Sequence, residues 1–99
     1  MILLQINFDF PSEYMGINLT ESAKGLAESI NNEPGFISKI WIENQETGRS
    51  GGIYLFDTMN NAEKYAQMHS KRVVEIGATR IECEYFEVNE PLSRINRSL

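Results

Sequence analysis

A few aromatic and polar side chains carry whatever chemistry this chain performs. His69 is its only histidine and falls on the apolar side of a predicted helix. There it can act as a base, contact a substrate or remain a hydrogen-bonded residue at the edge of the core. Trp41 is the only tryptophan, and it either packs at a subunit interface or forms the wall of a cavity. Asn7 places an amide within an apolar strand, where it either bonds across an interface or points into a pocket.

Further aromatic residues are candidates for the walls of a ligand site. Buried tyrosine rings fill space, but their hydroxyls also orient polar substrates. The candidate substrate-binding residues are therefore Tyr54, Tyr65, Tyr85 and Phe56. Each of them can equally be a packing residue, and the sequence leaves both possibilities open.

Several common catalytic patterns are missing from the chain. We find no glycine-rich phosphate loop, no histidine–carboxylate spacing for a metal and no nucleophile elbow, so we predict no metal and no cofactor. The single cysteine, Cys83, is expected to be a small buried strand residue. An enzyme of this kind would hold an oxygen-reactive substrate in an aromatic pocket, and the alternative is a protein that binds without chemistry.

Composition restricts the class of protein and its partners. The 99 residues suit one domain, and 23% charged residues are ordinary for a globular protein. The net charge of −5, without a basic stripe, argues against nucleic acid as a partner. No apolar run approaches the ~20 residues of a membrane span. No signal peptide is visible, so we expect a cytoplasmic protein.

Periodicity predicts six elements. Alternating residues 2–10 form a strand, and a helix follows with Asn18 or Thr20 as its cap and an apolar stripe from Leu19 to Ile30. Strands are predicted at 36–43 and 51–56, with a hairpin between them and a bulge at the paired glycines Gly51 and Gly52. A second helix starts at Asp57, Thr58 or Asn60 and closes at Gly77, and the last strand spans about 79–88. Residues 89–99 are predicted to form an extended tail.

The order βαββαβ predicts a single α+β domain over residues 1–99, ferredoxin-like, with two helices on one face of a four-stranded antiparallel sheet. The aliphatic face should meet the helices. The other face should be mixed, with nine residues predicted on it: Leu3, Gln5, Asn7, Lys39, Trp41, Tyr54, Phe56, Phe86 and Val88. Because such a face is too aromatic for water, we predict a homodimer in which two sheets pack face to face.

Five segments resemble one known family along essentially the whole chain. They are residues 26–31 (LAESIN), residues 33–36 (EPGF), Lys39 with Trp41, residues 51–56 (GGIYLF) and residues 88–93 (VNEPLS). Together they are similar to the YdhR-like monooxygenases, which belong to the dimeric α+β barrel superfamily of antibiotic-biosynthesis-type monooxygenases. The resemblance implies a dimeric α+β barrel.

The resemblance also implies a reaction. Relatives oxidise aromatic polyketides with O2 and neither metal nor flavin, so Trp41 and the tyrosines would hold a small hydrophobic or aromatic substrate. Asn7 or His69 would stabilise its oxyanion. A non-catalytic binding or interaction module is the alternative, and the haem-degrading branch is a further one. That branch uses a first-strand Asn and a helix His, which Asn7 and His69 match, but its Trp lies on a later strand than Trp41 does.

Overall fold

The computed structural model describes all 99 residues. Four strands and four helices follow one another as β1 (Ile2–Asp9), α1 (Ile17–Ser22), α2 (Lys24–Ile30), β2 (Phe36–Asn44), β3 (Arg49–Phe56), α3 (Met59–Glu75), β4 (Thr79–Glu87) and α4 (Glu90–Ile95), with a short 3-10 turn at Ser12–Tyr14. None of the helices combines the length and the apolar character that crossing a bilayer requires.

The strands form one antiparallel sheet in the order β2-β3-β1-β4. The first strand lies inside the sheet, paired to β3 on one side and to β4 on the other. With a helical connection after β1 and another after β3, this is the ferredoxin-like arrangement of an α+β fold, and that prediction is confirmed.

The core lies between the sheet and α3. On β1, alternate side chains are buried, namely Ile2, Leu4, Ile6 and Phe8. Helix α3 meets them with its own buried stripe, Ala62, Tyr65, Ala66, His69 and Val73. Its small alanines let the helix backbone approach β1 closely, and burial of apolar area at roughly 25 cal/mol per Å² stabilises the contact.

The ends of α3 agree with the prediction. The Thr58 hydroxyl accepts a hydrogen bond from the Asn61 backbone at 3.2 Å, so Thr58 is the cap. At the other end, Gly77 has a φ of +107°, which glycine adopts without strain, and its backbone N–H donates to the Val74 carbonyl.

The first predicted helix is in fact two helices. Helix α1 begins after Gly16, earlier than expected, so the predicted caps Asn18 and Thr20 lie inside it. The chain bends at Ala23, where φ is −99° and ψ is 6°, and α2 then runs to Ile30. The stripe from Leu19 to Ile30 has helical spacing on both sides of this bend, so spacing alone does not reveal it.

A bulge in β2 reverses the predicted faces of the later residues of that strand. Phe36 pairs with Phe56, but Ser38 already pairs with Leu55, so Ile37 is an extra residue. After the bulge, the odd-numbered residues of β2 share the helix side with Phe36.

On β3, Tyr54 and Phe56 also lie on the side opposite to the one predicted, because they pair in register with the buried Leu4 and Ile2 of β1. Lys39 is opposite Tyr54, and Tyr54 is opposite the buried Leu4, so Lys39, Trp41, Tyr54 and Phe56 all face the helices. Their predicted place on the open face was wrong. The aliphatic residues of the same strands take that place instead, namely Ile40, Ile42, Ile53 and Leu55.

The paired glycines are not the bulge. Gly51 and Gly52 stay in register with Asn7 and Ile6 of β1, so the predicted bulge at this point was wrong. A Cβ atom on Gly51 would lie 1.9 Å from the Ile6 carbonyl oxygen. Glycine is therefore required here by the close approach of β1 to β3.

The C-terminal segment is not wholly extended, as predicted for residues 89–99. Helix α4 occupies Glu90–Ile95, because the Asn89 side chain caps it by accepting from the Leu92 backbone and Pro91 occupies its first turn. The Val88 backbone donates to the Met1 carbonyl, which joins the start of this segment to the sheet.

Candidate functional site

A cavity of about 510 Å³ lies between the helix side of the sheet and the helices. Strands β1, β2 and β3 form its floor, while α1, α2 and α3 form its walls. Its lining residues are Phe8, Phe10, Tyr14, Asn18, Leu19, Ser22, Ala23, Leu26, Lys39, Trp41, Ser50, Gly51, Tyr54, His69, Arg72, Val73 and Ile76. Most of this surface is apolar or aromatic, as in sites that bind small organic molecules.

The cavity exists because the two sides of the helical layer pack differently. Helix α3 approaches β1, β3 and β4 closely, whereas the backbones of α1 and α2 stand farther from the sheet. Ala23, at the bend between α1 and α2, lines the cavity and has only a methyl group to fill it. The bend therefore leaves space above Lys39 and Trp41 that a larger side chain would occupy.

His69 is buried, with 3% of its surface exposed, and its ring stacks on Tyr65 at 5.1 Å between centroids. Arg72 Nη2 and Nε lie 2.9 Å and 3.2 Å from His69 Nδ1. Because arginine stays protonated, Nδ1 must accept, and the neutral ring carries its hydrogen on Nε2. Burial, followed by the charges of Lys39 and Arg72, lowers the pKa of His69 to about 3.

His69 lines the cavity and Arg72 bonds its Nδ1, so Nε2 is the ring nitrogen left for a ligand. Nε2 has no hydrogen-bond partner in the chain. Because every buried side-chain nitrogen and oxygen does have a partner, Nε2 is accessible to solvent. His69 therefore presents an N–H donor to a ligand. It has no free lone pair to act as a base.

Lys39 is the second basic group of the cavity. Its Nζ lies 3.3 Å from the centroid of the Trp41 ring and 4.7 Å from that of Tyr54, so two aromatic faces hold the amine in place. It makes no salt bridge. Burial and the charge of Arg72 lower the pKa of Lys39 to about 7, from an ordinary 10.5. Near neutral pH this amine can therefore accept a proton.

Two tyrosines extend the polar wall behind the cavity. Arg72 Nη2 donates to the Tyr65 hydroxyl at 3.4 Å, and that hydroxyl donates to the Tyr54 hydroxyl at 3.5 Å. Burial is the main cause that raises the pKa of both tyrosines, so both stay protonated. The hydrogen of Tyr54, which lines the cavity, has no acceptor within the chain.

The structure brings together three of the candidate residues and separates the others. Trp41, Tyr54 and His69 all line the cavity, and Tyr65 lies directly behind them. Phe56 is fully buried in the core, and Tyr85 packs against that core from β4. Neither of these two lines the cavity.

Asn7 lies on the other face of the sheet. Its neighbours Ile6 and Phe8 point into the core, so Asn7 points away from it, into a shallow depression that Ile42, Glu43 and Arg49 also line. Within one chain, Asn7 and His69 are therefore on opposite sides of the sheet. The pair that the haem-degrading hypothesis required is not assembled in one pocket.

Lys39 and Arg72 were not among the sequence candidates. Arg72 follows His69 by three residues on one helix, a spacing that places both side chains on the same face. This signal was available in the sequence. Lys39 was placed on the open face because strict alternation does not reveal the bulge. No three histidine, cysteine or carboxylate side chains converge as metal ligands would.

The lowered pKa of His69 has a consequence for stability. Between pH 6.5 and about 3 the unfolded chain binds a proton at His69 that the folded chain does not, so acid destabilises the fold. We expect the unfolding free energy of the wild type, measured with urea, to fall relative to that of His69→Gln by about 2–3 kcal/mol from pH 7 to pH 4.5. Above pH 7 the difference should be constant. A constant difference through the acid range would contradict the buried neutral histidine.

Solved structures with the same fold include three with stated roles. An "antibiotic biosynthesis monooxygenase" described as putative, from Deinococcus radiodurans, is 12% identical with a TM-score of 0.65, covering 90% of this chain and 93% of its own. The haem-degrader MhuD from Mycobacterium tuberculosis is 20% identical with a TM-score of 0.58, covering 88% and 95%. A mutant of SnoaB, a cofactor-independent oxygenase from Streptomyces nogalater, is 13% identical with a TM-score of 0.61, covering 89% and 92%.

At these identities the likeness establishes the fold alone. No curated protein sequence matches the chain. The sequence profile of one family does match, over residues 3–99, which is nearly the whole chain. The chain therefore belongs to the family described as "Putative mono-oxygenase ydhR".

Proposed function

We propose that the chain is a cofactor-independent monooxygenase that oxidises a small aromatic compound bound between the sheet and the helices. One observation carries this proposal. A largely aromatic cavity of about 510 Å³ holds, on one wall, an amine with a pKa near 7 and a neutral histidine N–H. A base and a hydrogen-bond donor are the two groups needed to make and stabilise a substrate anion.

Lys39 acts as the base in this proposal. Above pH 7 its amine is mostly neutral, and it lies over the Trp41 ring in the wall of the cavity. It can therefore remove the proton of a phenolic or enolic hydroxyl bound beside it. The ammonium that results stays next to the oxyanion and stabilises it.

His69 donates to the same oxyanion. Arg72 occupies its Nδ1, so the ring is oriented and its Nε2–H is left for a ligand. A preorganised donor of this kind favours the anion over the neutral hydroxyl and requires no rearrangement during the reaction. His69 thus has, in this proposal, the oxyanion-stabilising role that the sequence suggested for Asn7 or His69, and it is not the base.

The anion then reacts with O2 without help from a cofactor. One electron passes from the electron-rich ring to O2, the two radicals combine, and a carbon–oxygen bond forms. If the carbon that binds O2 was a CH2 group, it still carries one hydrogen in the resulting hydroperoxide. The O–O bond then breaks, this hydrogen is removed, the carbon becomes a carbonyl and the second oxygen leaves as water. The substrate itself supplies all the electrons, so one O2 is consumed per CH2 oxidised.

O2 consumption by metal-stripped protein tests this function with a panel of dihydroxyaromatics, anthrones and quinols. We expect uptake that increases with pH through about 7, because the Lys39 amine must be neutral. Lys39→Met should lower kcat on the order of 10²–10⁴-fold and abolish that pH dependence. Lys71→Met, an exposed lysine on the outside of α3, is the matched control and should leave turnover unchanged.

Two results would contradict the assignment. The first is turnover that survives Lys39→Met, His69→Gln and Trp41→Ala alike. The second is turnover lost in Asn7→Ala but not in these variants, which would move the site to the other face of the sheet. Absence of uptake across the panel would favour the non-catalytic binding module.

We also propose that the chain forms a homodimer through the open face of the sheet. This face carries a continuous set of large apolar side chains, namely Leu3, Ile40, Ile42, Ile53, Leu55 and Phe86. Ile40 is 64% exposed and Phe86 is 47% exposed in the single chain, and apolar patches of this kind mark protein interfaces. The corrected faces make this surface more aliphatic than the sequence indicated.

Light scattering tests the dimer. We expect twice the chain mass of 11.3 kDa for the wild type and a monomer for Leu55→Glu, whose charge would be buried at the centre of the interface. Val74→Glu is the control, since Val74 is 56% exposed on the outside of α3. A monomeric wild type, or a Leu55→Glu dimer, would contradict the proposal.

A further inference from the structure

The cavity has two basic side chains and no carboxylate. Lys39 and Arg72 both line it, and none of its other lining residues is an aspartate or a glutamate. The chain is not short of acids, since it has 14 of them against 9 lysines and arginines. Elsewhere Arg49, Arg80 and Arg94 each pair with a carboxylate. Arg72 has only His69 and Tyr65 as hydrogen-bond partners.

Proton transfer inside the cavity cannot supply the missing negative charge. When a neutral Lys39 takes a proton from a bound hydroxyl, the new ammonium and the new oxyanion cancel each other. The charge of Arg72 is unchanged by this step. A part-buried guanidinium without an anionic partner is costly, and the cost is removed when a ligand brings a permanent negative charge.

We propose that the ligand of this cavity is an aromatic carboxylate whose carboxylate pairs with Arg72. This inference rests on the proposed function only for the location of the site. It narrows the substrate to an aromatic acid that also carries the hydroxyl facing Lys39, and it assigns Arg72 as the residue that selects for charge.

The geometry around Arg72 suits this role. Contacts with His69 Nδ1 and with the Tyr65 hydroxyl fix one edge of the guanidinium, so little flexibility is lost on binding. Its Nη1 makes no hydrogen bond in the chain. Because no buried side-chain nitrogen lacks a partner, Nη1 is accessible to solvent. Two N–H groups are therefore left for a carboxylate. The apolar part of the ligand would lie against Phe8, Phe10, Leu26, Trp41 and Val73.

Calorimetric titration with three ligands that share one ring tests the proposal. The probes are 2-naphthoate, 2-naphthamide and 2-naphthylmethylammonium, which differ in charge but have the same naphthalene ring. We expect 2-naphthoate to bind at least tenfold more tightly than the amide, and the ammonium to bind most weakly. Raising NaCl from 50 to 500 mM should weaken naphthoate binding and leave amide binding unchanged, because only the carboxylate forms an ion pair.

Variants at Arg72 locate the charge selection. Arg72→Gln should bind 2-naphthoate no better than the amide, whereas Arg72→Lys should keep part of the preference. Lys71→Gln, the preceding residue on the exposed side of α3, should behave as the wild type. Equal affinities in the wild type, binding of none of the probes, or a preference that persists in Arg72→Gln would overturn the proposal.

These titrations are separate from the test of oxygenation. They are performed under nitrogen with ligands that carry no oxidisable hydroxyl, so no turnover contributes to the signal. A carboxylate preference without O2 uptake, on the panel and on hydroxylated aromatic acids alike, would retain this ligand class and reject the monooxygenase. O2 uptake on neutral substrates, together with equal affinities for the three probes, would retain the monooxygenase and reject this ligand class.

Discussion

The bulge in β2 decides which side of the sheet carries the candidate site. With Ile37 as an extra residue, Lys39 and Trp41 lie on the helix side, over the same face as Tyr54. Without it, these two residues would point to the open face and the cavity would lose its amine and its largest aromatic wall. The same bulge turns Ile40 and Ile42 outward. One inserted residue therefore brings Lys39 and Trp41 to the cavity and Ile40 and Ile42 to the opposite surface.

The cavity lies in a part of the fold that is not needed for the packed core. Helix α3 packs on the sheet and, together with β1, contributes most of the buried core, so the fold does not depend on filling the space beneath α1 and α2. Burial lowers the pKa of Lys39 to about 7, so holding this amine neutral near pH 7 costs stability, and the lowered pKa of His69 adds a cost only below about pH 6.5. Groups that are unfavourable for stability and convergent in a cavity are typical of functional sites.

Much of the fold could be predicted from the sequence, because it depends on signals that are local. The alternation of Ile2, Leu4, Ile6 and Phe8 predicted the central strand, and the Thr58 cap with Gly77 predicted the extent of α3. The bend at Ala23 and the helix after Asn89 were missed. The bend depends on backbone angles that residue spacing does not encode. The helix after Asn89, in contrast, has a capping Asn89 and Pro91 in its first turn, which are helix-start signals present in the sequence.

The site was harder to predict, because it depends on register. His69, Trp41 and Tyr54 were recognised by residue type and do meet in the cavity, but Asn7 and Lys39 were each assigned to the same face and the structure separates them. A single-residue shift in pairing moves every later side chain of a strand to the other face. Only a three-dimensional structure reveals such a shift. The role proposed for Arg72 depends on the cavity to which this shift brings Lys39 and Trp41.

The most direct test of this account is the titration of Lys39 itself, followed by NMR of the 13C-labelled lysine side chains and assigned with Lys39→Met. An amine enclosed by Trp41, Tyr54 and Arg72 should titrate with a midpoint near pH 7, well below the other lysines. A midpoint near the ordinary value of 10.5 would mean that Lys39 lies in solvent. It would then contradict both the bulge-directed cavity and the base it is proposed to hold.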